Sequence, residues 1–198
     1  MPRPSQVEHR RKELLPKIAE TFSQLGYRQA TTALLAARCN VRENILYRLW
    51  KDKKAMFVAS LDNLFESRRK IWKKLLDDPH GTGSRVERLI SCESENRGET
   101  PLHRLIFAAL GETNDPDIRA AMRRMYRRYY KFLCKEIDQH RGGSQVALDT
   151  TKTALAIIGV VTATNVLIEF DLAPRRSRRF VSELLSEVSW SLLGDGKT

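Results

Sequence analysis

Apolar residues recur at intervals of three and four along almost the entire chain, and no stretch alternates regularly between apolar and polar residues. The first pattern is typical of helices that bury one face, whereas alternation would indicate a β-strand. The sequence therefore predicts an all-α fold. The predicted helices cover about residues 14–25, 31–39, 44–51, 53–76, 85–96, 101–113, 115–143, 145–171 and 175–193.

The first of these helices is bounded by a proline and a glycine. Pro16 lacks the N–H group that a helix interior requires, so the helix is predicted to begin near Glu13 or to kink there. Gly26 is a suitable residue for its C-terminal cap. Residues 1–12 are then predicted to form a basic arm.

Positive charge is concentrated towards the N-terminus of the chain. Residues 1–57 contain 12 basic and 5 acidic side chains, whereas residues 58–198 contain 23 and 19. A compact basic segment joined to a nearly balanced body is typical of a polyanion-binding module on a carrier domain. We therefore predict a DNA-binding domain over residues 1–57 and a larger helical domain over residues 58–198.

A short helix, a tight turn and a second short helix lie inside the basic segment. Asn40 and Val41 form the predicted turn, because asparagine tolerates left-handed backbone angles. One side of the second helix is apolar, and the other carries hydrogen-bonding and cationic side chains. This is the arrangement of a helix-turn-helix, whose second helix enters the DNA major groove. The alternative is an ordinary solvated face on a helical hairpin. The polar side consists of Asn44, Tyr47, Arg48 and Lys51.

Residues 25–57, LGYRQATTALLAARCNVRENILYRLWKDKKAMF, resemble the DNA-binding segment of TetR-family transcriptional regulators. The resemblance implies a three-helix helix-turn-helix domain on an all-α homodimer. It also implies that the C-terminal domain binds an inducer of unknown identity and that the protein then releases double-stranded DNA. The matching positions are Gly26, Tyr27, Thr31, Leu35, Ala36, Val41, Leu46, Tyr47, Trp50 and Lys53.

The same resemblance implies roles for individual residues. Thr31, Tyr47 and Lys53 would contact DNA phosphates. Arg42 replaces the serine that usually caps the recognition helix, so the start of that helix loses a side-chain acceptor. Glu43 would face phosphate with the wrong sign unless it reads a cytosine amino group. The candidates for base contact are Arg42, Asn44, Ile45 and Arg48.

The two helices predicted nearest the C-terminus indicate a dimer interface. Residues 154–168 are apolar around almost the whole circumference, which requires a cover on every side. A palindromic DNA site requires twofold symmetry, which two such helices from each chain would supply. A monomer core is the alternative, and the family resemblance favours the dimer. The predicted interface residues are Leu155, Ile158, Val181, Leu184, Leu185, Val188 and Leu192.

A small-molecule pocket is predicted in the C-terminal domain, because several of its residues combine aromatic area with a few polar atoms. The alternative for each of them is plain core. No residue specifies the ligand. The candidates are Phe107, Met125, Tyr126, Tyr129 and Asn165.

The sequence gives little support for catalysis, metal binding or insertion into a membrane. No nucleophile elbow, paired carboxylates or metal-ligand spacing of histidines is present, so we predict no enzyme activity and no cofactor. The most apolar run, residues 154–170, is short for a membrane span and contains polar residues. The N-terminus lacks the apolar core of a signal peptide, which favours a cytoplasmic protein. An Arg-rich face over residues 119–135 could bind an acidic partner, although a solvated face is the simpler interpretation.

The sequence therefore predicts a cytoplasmic, ligand-responsive regulator that resembles the TetR family and represses rather than activates transcription. One alternative is a nucleoid-type DNA-binding protein that has no inducer and binds all duplexes alike. A helical enzyme or carrier is a third hypothesis, which the missing catalytic motifs disfavour.

Overall fold

A computed structural model describes most of the chain as α-helix. The described residues are 4–82, 85, 88, 89, 92, 101–140 and 149–170, and they contain no strand. The all-α prediction is confirmed, while the helix predicted over residues 175–193 lies outside the described residues. The helices are α1 (Pro4–Gln29), α2 (Thr32–Arg38), α3 (Glu43–Leu49), α4 (Lys53–Asp77), α5 (Pro101–Leu110), α6 (Pro116–His140) and α7 (Thr150–Glu169).

The helices belong to two compact units. The first comprises Met1–Arg69 and Thr100–Met125, and the second comprises Lys70–Glu99 and Tyr126–Thr198. The division crosses α4 and α6, so each of these helices contributes one part to each unit.

Aromatic residues of α1 and α4 form the core of the first unit. Phe22 and Phe57 are fully buried, and their rings meet edge to face with centroids 5.1 Å apart. The ring of Tyr27 lies 5.0 Å from that of Phe57 in a similar orientation. Such contacts add about 0.5–1.5 kcal/mol each beyond the area they bury. The cluster joins the end of α1 to the start of α4, so it holds together the two helices that flank α2 and α3 in the sequence.

The N-terminal part of α1 differs from the sequence prediction. The helix begins at Pro4 and continues through Pro16, so the predicted start near Glu13 is wrong, and residues 4–12 of the predicted basic arm are part of the helix. Pro16 costs the helix one backbone hydrogen bond, to the carbonyl of Lys12. Arg11, which lies in this additional N-terminal part of α1, contacts the end of α3, since its Nε donates to the carbonyl oxygen of Leu49 at 2.7 Å.

The interruption predicted at Gly26 is confirmed. Its backbone has φ 73° and ψ 173°, and it is the one residue of α1 with non-helical angles. Side chains rarely adopt such a positive φ, whereas glycine does so freely. The chain therefore changes direction at Gly26.

Two helix ends also differ from the prediction. α5 ends at Leu110 rather than near residue 113, and Gly111 begins a turn. α7 begins at Thr150 rather than at residue 145. The carboxylate of Asp149 accepts a hydrogen bond from Thr151 N at 2.9 Å, which is the contact of a helix cap.

Ion pairs connect the turn between α5 and α6 with α1 and α4 in the first unit. Arg28 Nε donates to Glu112 Oε1 at 2.7 Å. Lys54 Nζ lies 2.6 Å from an oxygen of Asp117 and 3.1 Å from one of Asp115. These hydrogen bonds, first with Asp117 and then with Asp115, raise the pKa of Lys54. The turn is therefore held to both helices that border the helix-turn-helix.

Asp115 has a second role as the N-terminal cap of α6, and we expect Asp115→Ala to lower Tm by about 2–4 °C. Its Oδ1 accepts hydrogen bonds from Asp117 N and Ile118 N at 2.9 and 3.2 Å. Asp115→Asn is the matched control, because asparagine keeps the cap and loses only the charge. If Asp115→Ala had the same Tm as the unchanged protein, the capping role would be contradicted.

The same carboxylate predicts acid sensitivity. Partial burial would raise the pKa of Asp115, but the hydrogen bonds from Ile118 N and Lys54 lower it below its usual value. A lowered folded pKa means that the stabilisation is complete above the unfolded pKa of about 3.9 and is lost as the pH falls through the folded value. Circular dichroism melting as a function of pH should show a smaller acid-induced loss of Tm in Asp115→Asn than in the unchanged protein.

One face of α7 is apolar and exposed. Leu155 and Leu167 are 56% and 44% exposed, and Phe170, just after the helix, is 71% exposed. The sequence predicted that this helix requires a cover on every side, and the described residues supply only part of that cover. By length and composition, Thr150–Leu167 is long and apolar enough to cross a membrane, a test that core helices of soluble proteins also pass. The described residues therefore leave an apolar surface on α7 that another protein surface can cover.

Candidate nucleic-acid interface

The turn between α2 and α3 has the predicted geometry. Asn40 has φ 53°, and it is the one described non-glycine residue with a positive φ. Its N–H donates to the carbonyl of Ala37, and that of Val41 donates to the carbonyl of Ala36, both at 3.0 Å. The carbonyls of Ala36 and Ala37 at the end of α2 are thereby satisfied, and these two hydrogen bonds hold the turn.

The apolar side of α3 is anchored as predicted. Leu46, Leu49 and Trp50 are all buried. Arg11 holds the end of the helix, because its guanidinium donates to the carbonyl of Leu49 and lies 6.0 Å from the ring centroid of Trp50. A cation at a helix C-terminus also interacts favourably with the helix dipole.

The opposite side of α3 is exposed. Arg42, Asn44 and Arg48 have no hydrogen-bond or ion-pair partner among the described residues, and Tyr47 is 49% exposed. Ile45 is half-buried. The surface therefore offers amide and guanidinium donors that no internal contact uses, which are the groups that read base edges and bind phosphates.

Glu43 does not face outwards. Thr32 Oγ1 donates to Glu43 Oε1, and Tyr47 Oη donates to Thr32 Oγ1 at 3.2 Å. The carboxylate is half-buried and is turned towards the start of α2. The expectation that Glu43 would present a negative charge to phosphate or read a cytosine is therefore not supported, because its side chain holds α3 against α2.

Like Tyr47, the other two predicted phosphate contacts have structural partners. Thr31 Oγ1 accepts a hydrogen bond from Leu34 N at 3.2 Å and so caps α2. Lys53 Nζ donates to the carbonyl of Tyr27 at 2.9 Å and lies 4.5 Å from the centroid of its ring. An ammonium group has three donors and a hydroxyl can donate while it accepts, so both residues keep a donor for phosphate. Their phosphate-binding role stays a prediction.

Sequence reasoning missed the residues that fix the position of α3. Arg11 is 38 residues from its acceptor and Thr32 is 11 residues from Glu43. No local pattern indicates these pairs, since they depend on how the helices pack. Only the positive charge of Arg11 is visible in the sequence, and a positive charge near the N-terminus is equally compatible with a basic arm.

Arg42 occupies the N-cap of α3 and makes no capping hydrogen bond, as predicted. We expect Arg42→Ser to stabilise the protein by about 1 kcal/mol, because serine accepts a hydrogen bond from the first turn. In this chain that corresponds to a Tm increase of about 2–4 °C. Arg42→Ala supplies no acceptor and is the control. A Tm gain in both variants would mean that relief of charge repulsion, rather than capping, stabilises α3.

The predicted ligand residues of the second unit lie on α6 and α7. Tyr126 is hydrogen-bonded to the side chain of Thr162, and burial raises the pKa of its hydroxyl although that hydrogen bond lowers it. Asn165, one turn further along α7, is 5% exposed. Its Nδ2 donates to the carbonyl of Val161 at 2.7 Å, whereas its Oδ1 has no hydrogen-bond partner among the described residues. A buried acceptor without a donor is unfavourable, so Asn165 is suited to a ligand.

The remaining ligand candidates have ordinary packing. The ring of Tyr129 stacks on that of Trp72 within the second unit, with centroids 4.9 Å apart. In the first unit Met125 is buried and Phe107 is half-buried. Their role in ligand binding stays a prediction.

Only two of the predicted dimer residues lie in the described part of the chain. Leu155 belongs to the exposed apolar face of α7, and Ile158 is half-buried. The other five lie outside the described residues: Val181, Leu184, Leu185, Val188 and Leu192.

Metal binding has no candidate site in the described ranges. No group of three or more His, Cys, Asp or Glu side chains there could hold a metal ion. Cys39 and Cys92 are buried and Cys134 is partly exposed, and all three are free thiols.

The helix-turn-helix segment matches a known family. Residues 14–60 match the model of bacterial regulatory proteins of the tetR family, which confirms the resemblance predicted from the sequence. No curated protein sequence matches the chain.

The fold is also that of solved regulator structures. A TetR-family regulator from Cytophaga hutchinsonii has a TM-score of 0.81 and 17% identity, and all of both chains is covered. A regulator from Saccharomonospora viridis in complex with choline has a TM-score of 0.76 and 15% identity, covering 92% of this chain and 96% of that one. FadR from Bacillus subtilis in complex with stearoyl-CoA has a TM-score of 0.71 and 16% identity, covering 94% and 99%. The fold of this chain is therefore similar to that of these regulators.

Proposed function

We propose that this chain, a tetR-family DNA-binding regulator by its helix-turn-helix segment, is a repressor that binds a near-palindromic operator as a homodimer and is released by a small molecule. Residues 1–57 would form the DNA-binding domain, and residues 58–198 the ligand-binding and dimerisation domain. It would act in the cytoplasm and without catalysis. The observation that carries the proposal is the exposed side of α3, where Arg42, Asn44 and Arg48 have no partner among the described residues.

Three features support sequence-specific binding by this surface. The donors are the types that pair with guanine, adenine and phosphate. They stand on a short helix whose other side is buried, so the helix can enter a groove as a rigid unit. Finally, Arg11 and the Thr32–Glu43 hydrogen bond fix its position. A solvated face would not require such fixation.

Selection of bound duplexes from a random pool tests this proposal. We expect enrichment of a near-palindrome whose half-sites are about one helical turn apart. Affinities for the enriched and an arbitrary duplex should then differ by a factor of about 10³ or more. Equal affinities would instead support a nucleoid-type protein, which binds through phosphates alone.

The dimer is supported by the exposed apolar face of α7. Covering leucine side chains that are about half exposed with a second chain is favourable by roughly 25 cal/mol for each Å² of apolar surface removed from water. A second copy of α7 is the simplest cover, because a twofold axis brings identical faces together. The same axis matches a near-palindromic DNA site.

The inducer is supported by Asn165 and its surroundings. Its buried Oδ1 requires a donor, and the nearby Tyr126 and Thr162 offer aromatic area and hydroxyl groups. Two proteins of this fold bind small molecules, choline and stearoyl-CoA respectively. We infer a partly apolar ligand that has a hydrogen-bond donor for Asn165.

Thermodynamic linkage gives a direct test of the inducer. A compound that raises Tm in a thermal-shift screen should weaken operator binding, and the operator should weaken binding of the compound by the same factor. The coupling free energy is commonly about 1–3 kcal/mol. A stabilising compound that leaves operator affinity unchanged would contradict its assignment as an inducer.

A further inference from the structure

The polar half of α6 carries a row of cations that no contact within the described residues uses. α6 is one continuous helix, so the positions along its face are set by the helix itself. All members of the row are exposed and spaced four residues apart, and Arg124 lies beside them. None forms a hydrogen bond or an ion pair with another described residue. The cationic row consists of Arg119, Arg123, Arg127, Lys131 and Lys135.

Two of the three acids of α6 are paired with cations outside the row. Asp117 binds Lys54 at 2.6 Å, and Glu136, which is buried, binds Arg85 at 2.7 Å. Asp138 is exposed and accepts a hydrogen bond from Thr150 at 2.6 Å, and this neutral donor leaves its charge in place, so one acid stands against the five cations of the row. Like charges four residues apart repel one another on a helix, so the row opposes folding. Its presence therefore points to a role outside the fold.

The chemistry of the row indicates which partner it fits. The large exposed apolar side chains of the described residues all lie on other elements. A protein partner usually requires aromatic or apolar anchors, and a helix on a membrane surface requires an apolar face to insert. The row supplies neither. Arginine predominates in it, and its planar guanidinium binds phosphate through two hydrogen bonds.

We propose that the cationic row is a second, sequence-independent surface for the phosphodiester backbone of double-stranded DNA. With a rise of 1.5 Å and a turn of about 100° per residue, it is about 24 Å long, presents a cation about every 6 Å and winds by about 160° around α6. Each DNA strand carries a phosphate per roughly 3.4 Å of axis, so three successive cations, which lie within about 80° of one another on the helix, can meet phosphates of one strand. This surface is separate from α3 and does not depend on sequence-specific binding by that helix.

The test is a row variant in which four cations become glutamine: Arg119→Gln, Arg123→Gln, Arg127→Gln and Lys131→Gln. Glutamine is a good helix former, so the full chain should fold with an unchanged or higher Tm. A matched control removes four exposed cations elsewhere: Lys70→Gln, Lys73→Gln, Lys74→Gln and Arg104→Gln. The two variants have the same net charge, so they differ only in which cations are replaced.

Fluorescence anisotropy with a short duplex of arbitrary sequence measures the effect. In the row variant we expect the slope of log K against log salt to become less negative by about 0.9 for each phosphate that the row neutralises in the unchanged protein. The control should keep most of the original slope. Arg48→Ala separates the two surfaces, because it should change discrimination between sequences while the row variant weakens all duplexes equally.

Two outcomes would overturn the proposal. An unchanged slope in the row variant would show that the row is a solvated face, and an equal change of slope in both variants would show an effect of net charge alone. Vesicles of phosphatidylcholine and phosphatidylserine test the membrane alternative. If the row variant lost vesicle binding but kept duplex binding, the partner would be an anionic lipid surface instead of DNA.

Discussion

Arg48→Ala is expected to lower the affinity for the selected operator by about 5- to 150-fold, the effect of removing one good base contact of about 1–3 kcal/mol. Arg48 is exposed on α3 and has no partner among the described residues, so its removal breaks no internal contact. The affinity for an arbitrary duplex should change little. Titration of both duplexes by fluorescence anisotropy gives the two dissociation constants.

Arg104→Ala is the matched control, because Arg104 is exposed on α5 and carries the same group. It should leave the discrimination between the two duplexes intact. Equal loss of affinity for both duplexes in Arg48→Ala would contradict base reading by Arg48. The guanidinium would then be a phosphate contact, and Asn44 would remain the candidate for base contact on that side of α3.

The sequence was most informative where the structure depends on neighbours along the chain. The apolar side of α3 follows from the spacing of Leu46, Leu49 and Trp50, and all three are buried. Asn40 and Gly26 have the positive φ values that their residue types predicted. Each of these features is decided within one or two helical turns, so a local rule is sufficient.

Local rules failed where distant contacts decide the structure. Pro16 predicted the start of α1, but the helix extends to Pro4, and Arg11 in that extension binds the end of α3. The carboxylate of Glu43 suggested an unfavourable contact with phosphate, but it accepts a hydrogen bond from the hydroxyl of Thr32 within the protein. Both outcomes depend on the register between helices, and a single sequence does not encode that register in a readable pattern.

The apolar circumference of α7 shows what a sequence pattern can predict about a buried helix and what it cannot. The composition of residues 154–168 predicted that the helix requires a cover, and the hydrophobic effect makes this requirement independent of topology. The chain leaves Leu155 and Leu167 about half exposed. Composition therefore predicted the requirement, but it does not say whether the same chain or a second one meets it.

Leu155→Glu with Leu167→Glu is expected to convert the proposed dimer into a monomer. In a monomer both side chains face water, so glutamate should be tolerated and the fold retained. In a dimer the same positions would place unpaired charges in an apolar seam, which is strongly unfavourable. Light scattering at micromolar concentration should show the mass of one chain for the variant and of two for the unchanged protein.

Loss of the dimer should have a large effect on DNA binding. Two linked recognition helices gain about 10²- to 10⁴-fold in affinity over one, because the second contact is intramolecular. The affinity of the double variant should therefore fall by about that factor for a near-palindrome and by much less for a single half-site.

Leu110→Glu is the control, since Leu110 is 50% exposed on α5 and is not part of α7. If the double variant remained a dimer and bound the near-palindrome fully, a different surface would form the interface. If instead the unchanged protein were a monomer, symmetric operator binding could arise only on the DNA itself.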